Sequence, residues 1–405
     1  MNEPINYRCE LIEQVLPFWL THGIDREHGG VITCLDRDGS IYDTDKSVWF
    51  QGRFGWLLGT LCTAVEPREE WLAGCRSCVQ FLQDHCFDTD GRMFFTTTRD
   101  GRPLRKRRYA FSEMFAAMAF AAHAAADNDA RSAALAMETC QSGVSRMLTA
   151  GGIVPKTIPT TRATKAIGGP MIVLGTAQAI RRSFRAGGCL SAEWAMQLEE
   201  WINDALASIE ADFVRPELEA VLEVVAADGS PLLDHAEGRT INPGHAIEAA
   251  WFVMAEGKNR QDSRLINLGV TMLRWSWRLG WDELCGGLFY FRDLCGKPCP
   301  EYWHDMKFWW PHNEAEIATL MAWQLTGEDL YRQWHEEVHD WSRRRFVDER
   351  YGEWYGWLRR DGEPTHLAKG SLWKGPFHIP RMLLTCWELH REKTSAVGLP
   401  NGGPV

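Results

Sequence analysis

The chain has no run of about 18 apolar residues, the length a helix needs to cross a bilayer, so no membrane span is expected. It has no surplus of basic residues either. Its 44 lysines and arginines face 54 aspartates and glutamates, a net charge of −10. Nucleic acid requires a basic face and is not expected as a partner. The N-terminus, "MNEPINYRCELIEQVL", lacks the basic stretch and apolar core of a secretory signal, which points to the cytoplasm. The H-E-x-x-H pattern and dense His/Cys clusters are missing, so no metal is expected. Long apolar strands are missing too, and the β-like stretches sit in hairpins. That excludes a Rossmann sheet and a (β/α)8 barrel, whose parallel strands read as continuous apolar runs.

What is present is ordinary for a globular protein, with 45% hydrophobic and 24% charged residues. Twelve cysteines at irregular spacing read as reduced, mostly buried thiols. Cys75 and Cys78 form a C-x-x-C inside the helical pattern "EWLAGCRSCVQFLQ", without a βαβ context, and read as packing. The 20 tryptophans are heavy usage, which core packing explains for most and a carbohydrate platform for some.

A short pattern recurs: glycine, alternating apolar residues, then a charged turn. It occurs as "HGGVITCLDRDGS" from residue 28, "DGRMFFTTTRDGRP" from 90, "GGLFYFRDLCGKP" from 286 and "YGEWYGWLRRDGEP" from 351. Each predicts a small β-hairpin. "GGIVPKTIPTT" from 151 and "LEVVAADGSPLLD" from 222 fit more loosely. The sequence between them is helical. "LIEQVLPFWL" places Ile12, Val15, Leu16, Trp19 and Leu20 on one helical face. "AFSEMFAAMAFAAHAAA" is apolar nearly all round and should be buried on every side. Six such units, each an amphipathic helix and a more buried one, predict an all-α fold. It is an (α/α)6 barrel of six helix pairs with short β-hairpins at one end, and residues 1–405 form a single domain.

Pro170, Pro243, Pro311 and Pro380 each stand near the start of a buried helix, where a missing N–H is harmless. The inner helices of such a ring run the same way, so polar residues near these prolines should face one pocket. His245 and Glu248 lie three residues apart in "INPGHAIEAAWF", with Asn242 as the expected N-cap. His378 precedes Pro380, and Trp310 and Glu314 flank Pro311. Arg53 and Glu113 lie on the first two inner helices, and Trp251 lies three residues beyond Glu248. Taken singly, each has a structural reading: a histidine at a helix start, a capping glutamate, a core tryptophan. Taken together, that many charged groups are costly to bury without a function. His304 and His312 read as structural or rim residues.

Three chemistries could use this set. His245, Glu248 and His312 could hold a metal. Glu248 and Glu314 could be the carboxylate pair of a glycosidase, which leaves two histidines and an arginine without a main role. The third is proton transfer at a carbon next to a carbonyl, which suits histidine at neutral pH. Glu248 is then expected to orient His245 and favour its protonated form.

The motifs "VWFQGRFGWLL", "FSEMFAAMA", "GRTINPGHAIEAAWF", "MKFWWPHNEAEIATLMAW" and "KGPFHIPR" give the whole chain a resemblance to the N-acylglucosamine 2-epimerase family, called renin-binding proteins in animals. The resemblance implies the (α/α)6 barrel and reversible epimerisation at sugar C2, between N-acetylglucosamine and N-acetylmannosamine, through an enediolate. It implies catalytic roles for His245 and His378 and a sugar-binding role for Arg53. Glu248 and Glu314 would give support, and Trp310, Trp251 and Glu113 would surround the site. The nearest alternatives are an aldose–ketose isomerase or a 2-epimerase of mannose, glucose or cellobiose, and a non-catalytic binding protein. No cofactor is required by this chemistry. Some family members are stimulated by a nucleotide, which stays undecided here; with no G-x-x-x-x-G-K-[ST] loop, such a site is not a P-loop. The expected partner is a small sugar, and a homodimer is compatible.

Overall fold

The computed structural model of the protein describes residues 6–107, 109–149 and 151–397. Helices dominate it, and twelve long ones among the described residues alternate between an outer and an inner layer. The outer helices are α1 (7–23), α3 (Glu69–His85), α5 (Ala130–Leu148), α7 (Ala192–Ser208), α9 (Ser263–Gly280) and α11 (Asp329–Phe346). The inner ones are α2 (Val48–Ala64), α4 (Phe111–Asp127), α6 (Gly168–Ala186), α8 (Pro243–Arg260), α10 (Trp309–Thr326) and α12 (His378–Val397). This is the expected (α/α)6 arrangement. No helix among the described residues is long and apolar enough to cross a membrane.

The two layers differ as their sequences demand. Helix α9 buries Leu265, Gly269, Met272, Leu273, Ser276 and Trp277, one stripe at helical spacing. Its start is capped by Asp262, whose carboxylate accepts from Arg264 N–H at 2.8 Å. Helix α4 is buried without a break from Ser112 to Ala124, and α10 from Trp309 to Ala322. Small residues let inner helices approach closely. A Cβ on Gly52 would lie 2.5 Å from the Phe115 carbonyl, and one on Gly59 would lie 2.8 Å from the Ala122 backbone.

Helix α1 departs from the regular pattern expected of "LIEQVLPFWL". Residues 10–15 and 19–23 form wide π-type turns around Pro17. Proline has no N–H, and its ring crowds the preceding turn, so the wide turns relieve both. Leu11 and Phe18 join the buried face, and Ile12 is only partly buried.

The strands are two or three residues long. Four of the five small sheets among the described residues join neighbouring segments, and one strand of each leads into an inner helix. Lys46–Ser47 pairs with Thr96–Thr97, Thr240–Ile241 with Arg292–Asp293, and Lys307–Phe308 with Trp357–Leu358. The looser segment after 151 does not fold back on itself. It makes a helical turn at Pro159–Arg162 and sends Thr164–Ala166 to pair with Val224–Ala226.

Three hairpins are locked by the same ionic clasp. Asp25, Asp282 and Asp348 each open a hairpin, and each carboxylate meets a wholly buried lysine: Lys46 at 3.0 Å, Lys307 at 3.0 Å, Lys369 at 2.9 Å. An arginine from the R-D-G turn of the following unit completes each clasp: Arg99 on Asp25, Arg360 on Asp282, Arg37 on Asp348. The last closes the ring, because Arg37 belongs to the first unit and Asp348 to the sixth. All twelve cysteines are free, and Cys75 and Cys78 are buried in α3, as packing requires.

Candidate active site

The first turns of four inner helices meet at the hairpin end. Pro170, Pro243, Pro311 and Pro380 all fall in the first turn of their helices. Asn242 caps α8, its Oδ1 accepting from the His245 N–H at 3.1 Å. That fixes the turn from which the His245 ring projects. The imidazole Nδ1 lies 3.0 Å from Glu223 Oε2 and 3.1 Å from Oε1. Facing a carboxylate, which only accepts, Nδ1 carries a proton in either charge state, and Nε2 is the nitrogen that gains or loses the second one. Burial works against charge on His245, but the attraction of Glu223 outweighs it and raises the pKa above its ordinary value.

His378, the first residue of α12, is built the same way from other parts. Its Nδ1–H donates to Glu314 Oε1 at 2.7 Å. Glu314 Oε2 accepts from Trp251 Nε1 at 2.8 Å. Arg381, one turn along α12, places Nη2 at 2.5 Å from both Glu314 Oε1 and Glu248 Oε1. Burial, then the positive charges of Arg381 and Arg53, push the His378 pKa well below its ordinary value. The two histidines are thus driven in opposite directions. Trp310 neighbours both, its ring centre 5.1 Å from that of His245 and 5.8 Å from that of His378.

Arg53 is buried between the rings of Phe115, at 4.0 Å, and Phe377, at 4.5 Å. Burial lowers its pKa to about 9 against the pull of Glu248, so it is charged at neutral pH. Among the described residues its guanidinium has no ion pair and no hydrogen bond, and its Nε is a buried orphan donor. A buried donor without a partner is rare and points to a ligand.

The sequence predicts that Glu248 orients His245 and favours its charged form; in the structure Glu223 takes the orienting place, and Glu248 adds a smaller pull that also raises the His245 pKa. Glu248 lies a turn deeper, where Arg381 reaches it, while the histidine at the helix start meets the hairpin residue Glu223. Glu223 and Arg381 are the two residues that reading left out. Arg381 was recoverable, since it lies three residues after His378 on the same face. Glu223 carried no local signal, being one charge in a loosely patterned hairpin.

Glu113 is oriented elsewhere. Its Oε1 accepts from the Met93 N–H at 3.0 Å, and its Cβ faces Gly143 of the outer helix α5. His312 is structural: Nδ1–H donates to the Phe308 carbonyl at 2.6 Å, Nε2 accepts from the Leu288 N–H at 2.9 Å, and burial drives its pKa to about 3. A metal set of His245, Glu248 and His312 is therefore not assembled. Glu248, Glu314 and His378 do bring ligand atoms within 4.8 Å of one another. The cation they share is the Arg381 guanidinium, 3.4 Å from His378 Nδ1.

The chain is similar to known proteins along most of its length. The family model of N-acylglucosamine 2-epimerase (GlcNAc 2-epimerase) matches residues 30–378. An N-acylglucosamine 2-epimerase of Bos taurus is 36% identical over 93% of this chain and 89% of its own length. That of Mus musculus is 33% identical over 93% and 90%. The solved cellobiose 2-epimerase of Bacillus thermoamylovorans B4167 superposes with a TM-score of 0.80 at 19% identity, covering 95% of this chain and 98% of that one. With a family model spanning most of the barrel and relatives about a third identical along nearly all of it, the chain belongs to the N-acylglucosamine 2-epimerase family.

Proposed function

We propose that this chain is a sugar 2-epimerase interconverting N-acetylglucosamine and N-acetylmannosamine, with His245 and His378 as the proton carriers. One observation supports this best. Each histidine holds Nδ1 on its own carboxylate, Glu223 or Glu314, and keeps Nε2 for a reacting atom. The named relatives carry the same reaction class.

The sugar ring opens to the aldehyde, which acidifies C2–H. His378 is kept neutral by burial and two arginines, and takes that proton on Nε2. The C–H electron pair becomes the C1–C2 double bond, and the carbonyl pair moves onto O1. With an acylamino group at C2 the anion is an enolate; with a hydroxyl it would be the enediolate. Arg53, charged and otherwise unpaired, supports the charge on O1. His245, held towards its charged form by Glu223, returns a proton to the opposite face and inverts C2. The reverse reaction uses the same groups with roles exchanged. Base, acid and cation are all side chains, so no cofactor enters. Trp310 flanks both rings, Trp251 steadies Glu314, and Glu113 is structural in this reading. A glycosidase would need Glu248 or Glu314 as proton donor; both accept from Arg381 instead. Unpaired cysteines suit the cytoplasm.

The test is incubation in deuterated water with N-acetylmannosamine, mannose and cellobiose, following C2 by NMR. Deuterium at C2 with inversion is expected. A ketose product would make it an isomerase, and released monosaccharide a glycosidase. Full exchange in both His245→Ala and His378→Ala would overturn the mechanism.

A further inference from the structure

One tight turn is built three times in this fold. Asp25, Asp282 and Asp348 each begin it, and each backbone N–H donates to the carbonyl five residues on: Gly30, Gly287 and Glu353. That fifth residue has positive φ every time, +70° and +73° at the glycines and +55° at Glu353. Glycine adopts this conformation freely, whereas a residue with a Cβ is strained in it. The other non-glycine residues with positive φ among the described residues are Asn128, Glu219 and Gln261, all exposed at helix ends. Glu353 is buried. A strained, buried acid where the fold twice uses glycine points to a role for its side chain.

The neighbours explain how it fits. A Cβ on Gly30 would lie 2.3 Å from Gln51 Oε1, and one on Gly287 would lie 2.9 Å from His312 Nε2. Gln51 and His312 are the fourth residues of α2 and α10. The fourth residue of α12 is Arg381, committed to Glu248 and Glu314 instead.

Glu353 uses both oxygens. Oε1 accepts from Lys374 Nζ at 2.7 Å, and Oε2 from Trp19 Nε1 at 2.8 Å. Lys374 is wholly buried and also donates to the Lys369 carbonyl at 2.6 Å. Lys369 in turn donates to the Glu353 carbonyl at 3.1 Å. Both lysines of the segment before α12 therefore end on residue 353. That segment runs on through Gly375, where a Cβ would strike the Phe50 ring at 2.6 Å. Then comes Phe377, whose ring lies 4.5 Å from both the Arg53 and the Arg381 guanidinium. The next residue is His378.

We propose that Glu353 is a positioning residue for His378: through Lys374 its carboxylate sets the segment 369–377 that delivers the imidazole to Glu314. This rests on the reading of His378 as a proton carrier. The test uses the full chain and the double variant Glu353→Gly/Lys374→Met, which relieves the turn and leaves no unpaired charge. The thermal midpoint should stay within a few degrees of the parent. The kcat for N-acetylmannosamine should fall about tenfold with KM changed less than about threefold, because the pocket walls remain while the base is displaced. A fall in kcat of less than threefold overturns the proposal. If the double variant does not fold, Glu353→Gln decides. It keeps the shape but offers one acceptor oxygen to two donors, and the same threefold limit applies. His378→Asn is run in parallel. If that variant keeps C2 exchange, the reading of the site fails. If it loses exchange while the Glu353 variants keep kcat, only the role of Glu353 fails.

Discussion

Replacing Arg53 by methionine should separate activity from stability. The guanidinium touches the faces of Phe115 and Phe377, and two desolvated cation–π contacts return about 2 kcal/mol each. Against this, burial takes its pKa from 12.5 to about 9, which is roughly 5 kcal/mol held against the charged form. The two nearly cancel, and a methionine would still pack on both rings with a sulfur–aromatic contact of about 1 kcal/mol. The thermal midpoint of Arg53→Met should therefore match or slightly exceed that of the parent. The charge penalty is present below about pH 9, so the parent should gain on the variant as pH rises through that value. Activity should behave differently. Losing one preorganised donor to a developing oxyanion costs on the order of 10²–10³ in rate, about 3–4 kcal/mol. Differential scanning calorimetry and steady-state kinetics with N-acetylmannosamine give both numbers. A midpoint lowered by more than about 5 °C with kcat/KM within about tenfold of the parent would make Arg53 a packing residue and refute the reasoning.

Glu223→Gln should move the alkaline limb of kcat/KM to lower pH, and by the same amount for both sugars, because their equilibrium constant does not depend on pH. The His245 pKa is raised in the folded state, so its stabilisation is full below the ordinary value of 6.5 and is lost as pH rises through the raised one. The melting deficit of this variant should accordingly be largest in acid and close towards alkaline pH. An unmoved limb would separate Glu223 from the chemistry. Trp251→Phe strips the donor from Glu314 Oε2, which should cost about 1–3 kcal/mol in urea unfolding and lower kcat about three- to tenfold. Unchanged values for both would remove Trp251 from the site. Glu113→Ala leaves the Met93 N–H without its acceptor, so stability should fall by about 1–3 kcal/mol. Its kcat/KM per folded molecule should stay within about twofold; a larger loss would return Glu113 to the pocket.

Much of the architecture is legible along the chain because it is local. Apolar spacing marks the helices, prolines mark the starts of inner helices, and glycine with charged turn residues marks the hairpins. Where local rules mislead, a nearby feature explains it. Pro17 forces wide turns into α1, and the segment after 151 pairs with Val224–Ala226 because its own return strand is missing. The gathering of His245, His378, Arg53, Glu248 and Glu314 at one end also follows from a local property, their place near the starts of inner helices.

The partners of these residues follow a different logic. Glu223 reaches His245 across 22 positions, Glu314 reaches His378 across 64, and Arg381 reaches Glu248 across 133. No periodicity encodes such distances. They are set by how six helix pairs close into a ring and by which hairpin is laid over which helix end. Placement near the starts of inner helices is enough to bring two histidines, an arginine and their carboxylates to one end of the barrel. Closure of the ring assigns each histidine its surroundings: Glu223 beside His245, which raises its pKa, and burial with Arg381 and Arg53 around His378, which lowers its own. A pKa is set by the few ångströms around a group, and those are filled here by residues from other segments of the chain.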